Sequence, residues 1–200
     1  MAYEGKIIKL IDFPSLRQSY TYSCGASVVQ SMLFYYGGDE REKELMYDLG
    51  TDKKGTWIKN IVKFFRNRGF KIEHGEGYSS EDIKNFIDRK IPVIIALQAW
   101  PRKQKKNWEE GYSEGHYVTA IGYTDKGIIF SDPSSIYAAF LTFKDLDKRW
   151  HDVEEDKKIE HYAIIPHGKS PKYKKEKIIK MGSISDEIRR IVKNMEGYGY

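Results

Sequence analysis

QSYTYSCGASVVQSMLFYYGG, residues Gln18 to Gly38, holds the only cysteine of the chain and runs from it directly into an apolar stretch. Val28, Val29, Met32, Leu33 and Tyr36 recur at helical spacing, and Gly37-Gly38 stands where a helix C-cap belongs. The pattern predicts a helix from about Cys24 to Tyr36, buried on most of its surface, with the thiol in its first turn. Two roles fit that thiol. A lone free cysteine often packs as a small buried hydrophobe. A cysteine at a helix N-terminus instead meets the positive end of the helix dipole, which favours the thiolate. Gly25 allows a close neighbour, and the small Ala26 and Ser27 leave the first turn uncrowded.

Outward from this helix, DEREKELMYDLG predicts a short charged helix, and in GTWIKNIVKFFRNRG the residues Trp57, Ile58, Ile61, Val62 and Phe65 form one helical stripe. FKIEH reads as a strand. SSEDIKNFIDRK opens on Ser79 or Ser80 as N-cap and turns Ile83, Phe86 and Ile87 inward. The period then changes: PVIIALQAW, HYVTAIGYT and GIIFSDP are strands, the last two joined by the hairpin turn Thr124-Asp125-Lys126-Gly127. LTFKDLDKRW is a helix and HYAIIPH a final strand. Helices followed by consecutive strands predict an α+β domain with a mainly antiparallel sheet over residues 1–167. A basic linker from Gly168 and an amphipathic helix over Ser183 to Met195 follow it.

Composition narrows the function. Two hundred residues, 40% of them hydrophobic, suffice for one ordinary core. One cysteine makes neither an internal disulfide nor a multi-cysteine zinc site, and no cofactor or metal is implied. No apolar run approaches the roughly eighteen residues of a membrane span, so the reading is a soluble, cytoplasmic protein. The net charge is +5, yet residues 168–200 alone hold nine Lys/Arg and four Asp/Glu, leaving 25 of each sign before them. A neutral body does not track a phosphate backbone, and no nucleic-acid partner is expected. The basic tail offers a weak contact for a membrane or partner surface.

A thiolate nucleophile needs a base. Among five histidines, His116 opens a strand after Gly115 and is held rigidly there, whereas His161 suits a surface or structural role and His74, His151 and His167 read as solvated. Asp132 ends the strand that follows the His116 strand through a short hairpin, so the two come close, and Pro133 stops the strand and leaves the carboxylate available to orient the imidazole. Gln18, six positions before Cys24, can aim its amide at the same carbonyl oxygen as the Cys24 backbone N–H. Each residue alone has an ordinary structural reading; together they specify a thiol acyl-transfer site.

Those segments, QSYTYSCGASVVQSMLFYYG, GHYVTAIGY and SDPSS, resemble the papain-like cysteine peptidases, and more closely the bacteriocin-processing, double-glycine leader peptidase family. The resemblance spans roughly residues 10 to 166. It implies a papain-like fold in which the Cys24 helix packs on the sheet beside a cleft. It also implies Gln18 as oxyanion-hole residue, Cys24 as nucleophile, His116 as general base and acid, and Asp132 as orienting carboxylate. The chain departs from the family in carrying Ser23 where an acidic residue often precedes the cysteine, and it contains none of the transporter segments to which many members are fused.

WPRKQKKNWEEGYSE, residues 100 to 114, lies just before His116. Its Trp100, Trp108 and Tyr112 could grip an extended peptide, and Arg102, Lys103, Lys105 and Lys106 could favour acidic side chains in it. The reading is therefore a cysteine peptidase acting on a peptide or protein through a thioester. Two alternatives keep the fold: an acyl transferase of the same type, and a non-catalytic peptide-binding domain.

Overall fold

A computed structural model describes residues 4–100 and 107–174 of the chain. Its elements run β1 (Ile7–Leu10), α1 (Cys24–Tyr36), α2 (Glu42–Asp48), α3 (Ile58–Asn67), β2 (Lys71–Gly75), α4 (Ser80–Asp88), β3 (Val93–Gln98), β4 (Gly115–Thr124), β5 (Gly127–Ser131), β6 (Ala139–Thr142), α5 (Phe143–Arg149), β7 (His151–Glu154), β8 (Lys157–Glu160) and β9 (Ala163–His167). This is an α+β fold with an antiparallel sheet ordered β2-β9-β3-β4-β5-β6, in which β1 also pairs with β4. A separate hairpin joins β7 to β8.

Helix α1 has the expected bounds, and all its residues except Gln30 and Phe34 are buried. It stops at Gly37, whose φ of +94° is the left-handed conformation that glycine adopts without steric cost, and the Gly38 N–H returns to the Leu33 carbonyl at 2.8 Å. Helix α3 buries Ile58, Ile61, Val62, Phe64 and Phe65, adding Phe64 to the stripe and placing Trp57 at the N-cap. Helix α4 starts at a capping box in which the Ser79 hydroxyl accepts from the Asp82 N–H and the Asp82 carboxylate accepts from the Ser79 N–H.

Four strands escape a sequence reading. Strands β1 and β6 have four residues each, and β7 and β8 are polar as well as short, so none shows a periodicity of its own. Strand β4 is buried at every position from His116 to Thr124. Its alternation of Tyr117, Thr119 and Ile121 with Val118, Ala120 and Gly122 therefore marks two covered faces.

The chain after β9 turns back onto α1. The backbone N–H groups of Lys172 and Tyr173 both donate to the Tyr35 carbonyl, at 2.9 and 3.1 Å, and the Tyr173 ring packs against Phe34. The helix expected over residues 183–195 and the cations Arg102, Lys103, Lys105 and Lys106 lie outside the described residues.

Candidate active site

The first turn of α1 puts Cys24 at the helix N-terminus with about 8% of its surface exposed. Ser23 is the N-cap, yet its hydroxyl does not cap the helix. It points to the carboxylate of Glu42 at 2.8 Å. The first N–H groups of α1 thus keep their positive end directed at the sulfur and at any oxygen bound beside it. Gly25 is demanded by close packing: a Cβ there would lie 2.6 Å from Thr56 Cβ and 3.3 Å from Tyr117 Cδ2.

His116 is brought to the thiol by β4, whose register pairs it with Leu97 of β3. Its Nε2–H donates to Asp132 Oδ1 at 2.8 Å, leaving Nδ1 for the Cys24 sulfur, which lies within hydrogen-bonding reach of the ring. Burial by itself would lower the His116 pKa. The hydrogen bond to Asp132, followed by the hydrogen bond and charge of Cys24, outweighs it and raises the value to about 9. The Asp132 carboxylate sits just past the end of β5 and is almost fully buried. Burial would raise its pKa, but the His116 hydrogen bond and charge, with the Ser134 N–H and hydroxyl both donating to Oδ1 at 2.8 Å, hold it below the ordinary carboxylate value. The geometry thus favours a protonated His116 set between an ionised Asp132 and the Cys24 sulfur.

Gln18 lies on the adjoining turn. Its backbone N–H donates to the Pro133 carbonyl at 2.9 Å, and Arg17 reaches the Ser134 carbonyl at 3.4 Å, so the turn before Cys24 is tied to the loop after Asp132. The Gln18 amide nitrogen donates to the Tyr20 carbonyl at 2.7 Å, while its Oε1 is buried with no hydrogen-bond partner among the described residues. The second N–H of that amide is the one chemistry could use.

Trp100 occupies a place the sequence did not disclose. Its indole N–H donates to Asp132 Oδ2 at 2.5 Å, so both carboxylate oxygens are hydrogen-bonded. Trp108 packs under the Arg149 guanidinium at 3.8 Å, and Tyr112 meets the His151 ring and the Lys158 ammonium. His151, expected in solvent, is buried, with Nε2 at 3.0 Å from the Gly111 carbonyl, because β7 carries it under the 107–112 loop. His161 has the structural role expected of it, stacked on Trp150.

Beside Gly115, Asp152 accepts from Gln98 Nε2 at 3.1 Å and from the Val153 N–H at 2.9 Å. Burial pushes its carboxyl up to about 6 and that of Glu154 up to about 7. Both groups bind a proton more tightly in the folded chain than in the unfolded one. Their cost to stability is absent below the unfolded carboxyl value, grows as pH rises toward 7, and is constant above it. Asp152→Asn retains both acceptor bonds through its Oδ1. It is expected to stabilise the fold by about 1–2 kcal/mol at pH 8 and by almost nothing at pH 4, read by thermal unfolding at the two pH values.

Comparison with known proteins agrees with this fold. The peptidase domain of Streptococcus ComA, a bi-functional ABC transporter, superposes with a TM-score of 0.57 at 21% identity, covering 79% of this chain and 96% of that one. A double glycine motif protease from an AMS/PCAT transporter, solved with its leader peptide, gives a TM-score of 0.57 at 19% identity, covering 80% and 96%. A candidate C39-like peptidase from Bacillus anthracis gives 0.62 at 15% identity, covering 81% and 98%. In sequence, the sublancin-168-processing and transport ATP-binding protein SunT of Bacillus subtilis (strain 168) is 22% identical over 138 residues. That alignment takes in 67% of this chain and only 17% of SunT. The Peptidase_C39 like family model matches residues 10–157, a span running from the end of β1 to beyond Asp132, and the chain belongs to that family.

Proposed function

We propose that this chain is a cysteine peptidase that cleaves an extended peptide after a small residue, through a thioester on Cys24. The observation that carries this reading is the Cys24, His116 and Asp132 arrangement at the N-terminus of α1. The thiolate of Cys24 attacks the scissile carbonyl carbon, and the carbonyl electron pair moves onto oxygen. The Cys24 N–H and the second N–H of the Gln18 amide stabilise that oxyanion, while the first keeps its bond to the Tyr20 carbonyl. As the intermediate collapses, His116 gives its proton to the leaving amine. It then takes a proton from water, which attacks the thioester and regenerates the thiol.

Cys24 and His116 each expose about 8% of their surface, so a backbone flanked by glycine approaches the sulfur with less obstruction than one flanked by a branched residue. This accords with the double glycine motif and leader named for one structural neighbour and with the processing named for SunT. The substrate we assign is a leader of that type, with Trp108 and Tyr112 as walls of its path and the reaction on the cytoplasmic side. Among the described residues no helix is long and apolar enough to cross a membrane.

The test is incubation of the chain with a synthetic leader containing Gly-Gly, in heavy-oxygen water with and without added amine. Cleavage after the second glycine, with one heavy oxygen in the new carboxylate, is expected, and so is complete loss after one equivalent of iodoacetamide labels Cys24. An amide product with added amine and no hydrolysis would assign an acyl transferase instead. No product from protein with an alkylatable Cys24 would leave a peptide-binding domain.

A further inference from the structure

The turn between Gln18 and Cys24 is organised by a residue outside it. Glu42, the first residue of α2, is buried to about 9% exposure. Its carboxylate accepts the Ser19 N–H at 3.0 Å on Oε1 and 3.1 Å on Oε2, the Ser19 hydroxyl on Oε2, and the Ser23 hydroxyl at 2.8 Å on Oε1. Among the described residues no lysine or arginine forms an ion pair with it. Burying a carboxylate is costly unless hydrogen bonds replace its water, and hydrogen bonds to a charged acceptor are the strong ones. Here every such bond goes to the residue directly after Gln18 or the residue directly before Cys24.

We propose that Glu42 is the positioning residue of the oxyanion site, an assignment that rests on the peptidase reading above. It acts in two ways. It clamps both ends of the five residues separating the Gln18 amide from the Cys24 N–H, with the inner bonds from the Tyr20 N–H to Ser23 Oγ and from the Ser23 N–H to the Tyr20 carbonyl completing the turn. It also holds, together with the Tyr20 carbonyl at 3.0 Å, the Ser23 hydroxyl away from α1, where an N-cap serine otherwise turns its oxygen toward the first-turn N–H groups. Its influence falls on the carbonyl oxygen of the substrate and leaves the Cys24-His116 proton pair unaltered.

Two reactions of the same sulfur separate these effects. Alkylation by iodoacetamide displaces iodide at carbon and forms no oxyanion. Acetyl-Gly-glycinal forms a hemithioacetal, the sulfur bonding to the aldehyde carbon while the C=O pair moves onto oxygen and is held by the oxyanion donors. Folded Glu42→Ala is expected to lower kcat on the Gly-Gly leader by about 10- to 100-fold at nearly unchanged KM, less than loss of a whole oxyanion donor. Acetyl-Gly-glycinal should weaken by a similar factor, while the alkylation rate of Cys24 and its pH dependence remain at the wild-type level. Glu42→Gln keeps one acceptor oxygen and should recover most of the loss. Unchanged kcat and aldehyde affinity in Glu42→Ala would overturn the assignment, as would an alkylation rate falling in step with turnover, which marks general collapse of the site. A wild-type chain that cleaves no leader yet is alkylated at Cys24 sinks the peptidase reading alone, and the aldehyde affinities then decide the role of Glu42.

Discussion

Replacing Cys24 by alanine is expected to remove leader cleavage to within background, a loss of at least about 10⁴-fold, because no other group in the site can form the acyl intermediate. The thermal midpoint should move only modestly, since the small side chain gives up its bond to His116 at a position about 8% exposed. The pairing of these two results is what makes the experiment decisive. Loss of both activity and stability would describe a core cysteine. Retained turnover would exclude Cys24 as the nucleophile. The same variant removes one of the influences that raise the His116 pKa, so the imidazole should titrate lower than about 9, a change visible by NMR.

The second large effect is expected from Asp132→Asn, at about 10²- to 10⁴-fold in kcat/KM. Four donors surround the carboxylate: His116 Nε2, the Ser134 N–H and the Ser134 hydroxyl at Oδ1, and the Trp100 indole N–H at Oδ2. An ionised carboxylate can accept from all of them. An amide cannot, because whichever way it is turned its NH₂ group faces a donor. Turned to retain His116 and Ser134, it opposes the indole N–H of Trp100. Adding Trp100→Phe to Asp132→Asn removes that opposition and should recover about tenfold in kcat/KM, although Trp100→Phe alone loses activity. Without the negative charge the His116 imidazolium is also less favoured, so the alkaline limb of the rate profile should move below about 9. A fully active Asp132→Asn with an unmoved limb would remove Asp132 from the site.

The central helix and the residues around the thiol were readable because each carries a local signature. Apolar residues at helical spacing and the Gly37 stop set the limits of α1. A histidine opening one strand and an aspartate closing the next can meet only across their hairpin, and they do. Glu42 had no such signature. In the run DEREKELMYDLG it looks like one more solvated charge, and its burial follows only from how α2 docks on the turn beneath α1. Ser23 stands directly before the cysteine, and a carboxylate reaches its hydroxyl from another helix. Trp100 was legible as an aromatic beside the site, but its bond to Asp132 depends on where the chain leaves β3. The environment of His151 depends on the β7–β8 hairpin, whose short polar strands gave no warning of it.

The hairpin joining β4 to β5 has a consequence for the order of events at synthesis. It assembles the base with its orienting carboxylate from neighbouring stretches of chain, whereas the nucleophile belongs to a helix made about ninety residues earlier, and domains take shape as successive parts emerge. Until β4 is complete, the emerging polypeptide carries Cys24 without the His116 imidazole. On the peptidase reading, a product truncated before His116 has the nucleophile without its base, and the pair is complete only once β4 and β5 have formed.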